Sequence, residues 1–108
     1  MNILFICTAN RDRSRTAEHF FQEKYPKFNF YSAGIDEALC SKSKGRFVDY
    51  QICDYADRIV CMEQRHAQFI LDLFGDAMLD KLEILEVDDK EDYMSITLVK
   101  ELQHKFKI

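Results

Sequence analysis

The sequence predicts an α/β fold, a three-layer sandwich around a four-stranded parallel sheet. Short apolar runs alternate with longer segments of helical periodicity along the whole chain, the pattern of strands joined by helical crossovers. The first run, Ile3 to Ile6, is apolar at every position, as suits a strand buried on both faces. Right-handed crossovers then place helices on both sides of the sheet. No linker, repeat or change of composition interrupts the pattern, so residues 1–108 read as a single domain.

Each element has its own signal. Asn2–Ile6 is the first strand. Ser14 can cap a helix running to about Lys24, with Thr16, Ala17, Phe20, Phe21 and Lys24 at helical spacing and Pro26 beyond its end. Phe28–Tyr31 is a second strand, and Ser32, Ala33 and Gly34 turn the chain. Asp36–Ser43 is polar and mixed, a loop or a short helical turn. A helix over Lys44–Tyr55 would align Phe47, Val48, Ile52 and Tyr55 on one face. Arg58–Met62 is a third strand. Glu63–Phe74 is a helix with Ala67, Ile70, Leu71 and Phe74 inward and Gly75 as its stop. Leu82–Val87 is a fourth strand, and Asp88–Asp92 an acidic segment. A last helix covers about Ser95–Phe106, with Ile96, Val99, Leu102 and Phe106 as its buried stripe.

Bulk properties narrow the function classes. A net charge of −4 implies no broad basic surface and argues against a nonspecific nucleic-acid binder. Four cysteines at irregular spacing, Cys7, Cys40, Cys53 and Cys61, suit neither a zinc site nor a disulfide scaffold. Cys53 and Cys61 read as core residues, and Tyr50, Tyr55 and Phe47 as packing residues. No stretch reaches membrane-span length, and the N-terminal run lacks the features of a signal peptide. The expected location is cytoplasmic, with no membrane partner and with Cys7 kept reduced. The sequence does not specify an oligomeric state.

The chemistry concentrates in Cys7-Thr8-Ala9-Asn10-Arg11-Asp12-Arg13-Ser14, where the first strand meets the first helix. Backbone N–H groups at such a turn can cradle an anion, and the helix start adds positive potential that also favours a thiolate. Arg13 offers a planar fork for two phosphoryl oxygens. Ser14 can donate its hydroxyl to the Cys7 sulfur. Asn10 suits a left-handed position and can brace the loop with its side chain. No metal or other cofactor is called for, since the loop donors and Arg13 supply the positive field. Ligands of such folds sit beyond the C-terminal strand ends, so Cys7, ending the first strand, can meet Asp88 and Asp89, ending the fourth. Asp88 and Asp89 also fit a solvated turn, and His66 fits a surface or helix-capping residue better than a base. A dinucleotide site is disfavoured because the first turn lacks a glycine-rich fingerprint.

These residues resemble the low-molecular-weight protein tyrosine phosphatases. The resemblance rests on Cys7 and Arg13 with five residues between them, on Asn10 and Ser14, and on Thr16-Ala17-Glu18. Ser32-Ala33-Gly34, Ala56-Asp57-Arg58-Ile59, and Met62-Glu63 with His66 extend it toward a compact bacterial branch of the family. It implies the flavodoxin-like strand order 2-1-3-4 and a phosphomonoester hydrolase acting through a phosphocysteine on Cys7. Its substrate would be a phosphorylated protein or small phosphomonoester, held by Thr8, Ala9, Asn10, Arg11, Asp12, Arg13 and Ser14. It implies an aspartate acid after the fourth strand. Alignment favours Asp89, with Asp88 the alternative, and Tyr93 would stack on an aromatic substrate. The chain departs from the family pattern in four places. Ala9 stands where glycine is common, Asp12 replaces a second loop cysteine, Arg15 replaces a proline, and the acid segment lacks proline. Two other functions fit the same loop: an inert module binding phosphate or a phosphoprotein, and an arsenate reductase using Cys53 or Cys61 as resolving thiols.

Overall fold

The computed structural model describes all of residues 1–108. Its four strands are β1 (Asn2–Cys7), β2 (Asn29–Gly34), β3 (Arg58–Cys61) and β4 (Leu82–Ile84), and all pair in parallel in the order β2-β1-β3-β4. Five helices connect and cover them: α1 (Arg13–Lys24), α2 (Glu37–Lys42), α3 (Tyr50–Tyr55), α4 (Gln64–Phe74) and α5 (Ile96–Lys105), with a 3₁₀ turn at Asp76–Lys81. The fold class and strand order are those expected from the sequence.

Alternation along β1 divides the core. Ile3, Phe5 and Cys7 face one layer, where Ala17 and Phe21 of α1 and Leu98 and Leu102 of α5 close over them. Leu4 and Ile6 face the other layer, with Ile52 and Cys53 of α3 and Ala67 and Ile70 of α4. β1 therefore has no exposed face, which is why its sequence shows a solid apolar run rather than alternation. The chain passes from β1 to β2 on one side, then crosses β1 to reach β3 on the other. This reversal opens a crevice at the C-terminal ends of β1 and β3.

Four local expectations are corrected. Ser32-Ala33-Gly34 is strand, not turn: β2 runs through it and pairs Phe5, Ile6 and Cys7 with Ser32, Ala33 and Gly34. The helix expected over 44–55 begins only at Tyr50. Lys44 is left-handed at φ 58°, and Gly34 N–H donates to Arg46 O while Val48 N–H donates to Gly34 O. Pairing to the end of β2 thus overrides the helical spacing of Phe47 and Val48. β4 stops at Ile84, although Leu85 and Val87 still donate N–H bonds to Cys61 O and Met62 O; left-handed Glu86, at φ 61°, breaks the ladder between them. The buried stripe of α5 contains Leu98 and Leu102, with Phe106 just past its end, whereas Ile96 is exposed. Ser95 is the N-cap of α5, accepting from Leu98 N–H at 3.1 Å, so its first turn faces water.

Candidate active site

β1 delivers Cys7 to the edge of the crevice, and the next five residues loop back to start α1. The backbone N–H groups of Thr8, Ala9, Asn10, Arg11 and Asp12 have no acceptor within the protein. Two constraints shape this loop. Asn10 is left-handed at φ 51°, a conformation asparagine tolerates. Its side chain is fully used: Nδ2 donates to Ser14 Oγ at 2.9 Å and Ser32 Oγ at 2.8 Å, and Oδ1 accepts from Arg46 N–H at 2.8 Å. Two glycines let neighbouring backbone approach. A Cβ at Gly34 would lie 2.5 Å from Thr8 O, and one at Gly45 would lie 2.8–2.9 Å from three Asn10 atoms. Ala9 needs no glycine freedom, since its φ is not positive, and its carbonyl accepts from Ser43 Oγ at 2.7 Å.

The Cys7 sulfur lies 2.9 Å from Ser14 Oγ. Ser14 is not the helix cap that its position suggests. Asp12 occupies the N-cap position, without a side-chain capping bond, and Ser14 is buried beneath Cys7, where Asn10 Nδ2 donates to its oxygen and frees its proton for sulfur. The Asp12 carboxylate accepts from Tyr93 N–H at 3.0 Å and lies 3.8 Å from Arg11 Nε.

Arg13 is 2 % exposed. Its Nη1 donates to Glu63 Oε2, and to Val87 O at 2.8 Å. Those bonds occupy one end of the guanidinium. The Nε–Nη2 edge keeps only a 3.3 Å bond to Thr8 Oγ1 and a 3.8 Å approach to Asp89. That edge has the spacing to grip two oxygens of a tetrahedral anion. Glu63 lies two residues past the end of β3 and also meets Arg65 at 3.2 Å. Burial opposes its ionisation, but hydrogen bonds and charge from Arg13 and Arg65 outweigh that and hold its pKa at about 2.

His66 is fully buried, which corrects the expectation of a surface residue, and it does belong to a capping network. Glu63 N–H donates to His66 Nδ1 at 3.0 Å. Nδ1 is therefore the acceptor, and Nε2–H donates to Thr8 Oγ1 at 3.0 Å, a tautomer assigned from these partners. Burial, reinforced by the charges of Arg13 and Arg65 and opposed by Glu63, lowers the His66 pKa to about 4. The neutral ring supports the loop. Thr8 Oγ1 also accepts from Arg65 Nη2 at 2.7 Å. In the sequence Glu63 stands out only through the family resemblance, His66 reads as a surface or helix-capping residue, and Arg65 carries no signal of its own. Their place just after β3, at the open end of the sheet, was the available signal.

The acid segment lies over the same crevice. Asp89 comes to 3.8 Å from Arg13 Nε, while Asp88 pairs with Lys90 at 3.4 Å. Tyr93 stands at the rim, its hydroxyl 2.7 Å from His19 Nδ1. Cys53 and Cys61 are buried in the core layer on the opposite side of the sheet from Cys7. Burial pushes the Cys53 thiol up to about 12 and raises Cys61 as well.

The family described as low molecular weight phosphotyrosine protein phosphatase matches residues 2–49, from β1 to the residue before α3. Among solved structures, a low molecular weight protein tyrosine phosphatase from Bacillus subtilis is 26% identical, with a TM-score of 0.68, over 96% of this chain and 88% of that one. The YwlE arginine phosphatase, in a mutant with a phosphorylated active-site serine, is 26% identical, with a TM-score of 0.67, over 96% and 87%. The tyrosine phosphatase Wzb from Escherichia coli K30, in complex with phosphate, shares the fold at 20% identity, with a TM-score of 0.73, over 96% and 91%. A search of curated proteins finds no match.

Proposed function

We propose that this chain is a member of the low-molecular-weight phosphotyrosine protein phosphatase family, whose model matches residues 2–49, and that it hydrolyses phosphotyrosine-like phosphomonoesters through a phosphocysteine on Cys7. The observation that carries the reading is the loop itself: five consecutive N–H groups without a protein acceptor, beside the Cys7 sulfur and the open edge of Arg13. Successive free backbone donors leading into a helix N-terminus form a nest suited to an oxyanion.

The roles follow from position. The Cys7 thiolate attacks phosphorus in line with the leaving oxygen, and the S–P bond forms as the P–O bond breaks. Thr8 to Asp12 N–H groups and the Nε–Nη2 edge of Arg13 hold the equatorial oxygens, where the transition-state charge resides. Asp89 gives its proton to the departing oxygen. It then takes one from the water that displaces Cys7 from phosphorus, which restores the thiolate and releases phosphate. The 3.8 Å approach to Arg13 supports Asp89 in this role, whereas Asp88 makes no ion pair with Arg13 and meets only exposed Lys90. A phosphorylated protein is the proposed substrate. Phosphoarginine is a second substrate class, favoured by the 26% identity to an arginine phosphatase. The arsenate reductase reading loses support because Cys53 and Cys61 are buried on the other side of the sheet with raised thiols.

The test is hydrolysis of para-nitrophenyl phosphate without added metal, followed by tyrosine- and arginine-phosphorylated peptides. Cys7→Ser should abolish turnover. Asp89→Asn should cost about 10²-fold in kcat, as expected for a lost general acid, and Asp88→Asn should cost little. Wild-type protein that binds phosphate but turns over none of these substrates would establish the inert-module reading instead.

A further inference from the structure

We infer that the outer wall of the loop is a second, anion-selective subsite that takes carboxylates of a polypeptide flanking the phosphorylated residue. This deepens the phosphatase reading and rests on it. An open cavity of about 810 Å³ lies beside the loop, bounded on one side by Ala9, Arg11 and Asp12 and on the other by Leu39, Lys42 and Tyr93. Cys7 does not line it, so it adjoins the cradle without being part of it. A smaller cavity of about 360 Å³ continues around the loop past Arg15 to Lys44 and Arg46. A polypeptide whose phosphorylated side chain entered the cradle would lay its neighbouring residues along this wall.

The charges decide which polypeptide fits. Five cations line the two cavities, Arg11, Arg15, Lys42, Lys44 and Arg46. Their side chains are mostly uncommitted. Arg11 only approaches Asp12 at 3.8 Å, Arg15 reaches Ser43 O at 3.5 Å, and the side chains of Lys42, Lys44 and Arg46 make no ion pair or hydrogen bond. Three carboxylates share the wall. Two are engaged: Asp12 accepts from Tyr93 N–H and Glu18 accepts from Ser32 Oγ at 2.5 Å. Asp92 is free at the far edge. The patch is therefore net positive on a chain of net charge −4. A chain this acidic repels acidic partners in general, so a local cationic wall directs them to one place.

The test compares three substrates at low ionic strength: para-nitrophenyl phosphate, a phosphotyrosine peptide flanked by Asp and Glu, and the same peptide flanked by Ser and Asn. Wild type should favour the acidic peptide in kcat/KM, through KM, and the preference should shrink as salt is raised. The double variant Lys42→Glu/Lys44→Glu should lose the preference about tenfold, as two reversed surface charges imply, and keep para-nitrophenyl phosphate turnover within about twofold. Equal kcat/KM for the two peptides in wild type would overturn the subsite, as would a preference that survives the double reversal. Anisotropy of the labelled peptides separates this subsite from the enzymatic reading. Acidic preference in binding, abolished by the reversals in a protein with no para-nitrophenyl phosphate turnover, would uphold the subsite and sink the phosphatase assignment.

Discussion

Glu63 holds Arg13 in place without itself lying at the proposed reaction centre. It and Val87 O occupy Nη1 of Arg13, and this leaves the Nε–Nη2 edge facing the crevice. A buried guanidinium without that carboxylate would turn to other acceptors, and displacement by about 1 Å can cost on the order of 10²-fold in rate. Glu63→Gln should therefore lower kcat about tenfold or more while the far-UV circular dichroism stays native. Glu63→Asp should recover part of the loss. Unchanged kcat in Glu63→Gln would refute this positioning role. Cys7, Asn10, Arg13 and Ser14 were legible from sequence because their spacing is local and their chemistry is particular. Glu63, Arg65 and His66 were harder to read because a carboxylate, a guanidinium and an imidazole at a helix start are ordinary there. Their meaning comes from Thr8 and Arg13, more than 45 residues away in the chain.

Among the elements, the informative one is the segment between α2 and α3. Its apolar spacing suggested a helix, but Gly45 to Val48 instead runs alongside the end of β2 and against the loop. Its amide at Arg46 holds Asn10 in its left-handed turn. Gly45→Ala would place a methyl group within 2.9 Å of three Asn10 atoms. The loop must move, and overpacking of this kind costs about 1–3 kcal/mol. Tm should fall, and the rise in Tm produced by inorganic phosphate in wild type should largely vanish, since that rise measures binding to the folded state. A Gly45→Ala protein that keeps the full phosphate-dependent rise would show that Asn10 does not need this contact. Helical spacing over 44–55 does not produce a helix before Tyr50, because periodicity reports which residues prefer burial, not which neighbour buries them. Strands β1 and β3 were read well because both are buried in the middle of the sheet and carry little else.

At the scale of the whole molecule, the site is also a source of pH-dependent stability. His66 ordinarily titrates near 6.5, and in the folded protein near 4. As pH falls between those values the unfolded chain binds a proton that the folded chain refuses, so stability decreases. Glu63 continues the trend: its folded pKa of about 2 lies below its ordinary 4.5, and the stability it adds is lost as pH falls through that interval. For His66 the loss amounts to about 3 kcal/mol at most. Urea midpoints should drop from about pH 7 to pH 4, and His66→Gln should flatten that limb while being less stable at neutral pH. A wild-type midpoint constant over this range would contradict the buried neutral assignment. No helix is long and apolar enough to cross a membrane.

By itself the sequence determined the sheet, the layers and the anion loop, because each rests on residues close together in the chain. Apolar runs must be buried, and one turn carries its own donors, nucleophile and guanidinium. Only the tertiary structure decided which edge of Arg13 is free, that His66 is neutral, which aspartate faces the loop, and where the positive wall lies. Those properties depend on the distances and dielectric between segments far apart in sequence, and folding alone sets them.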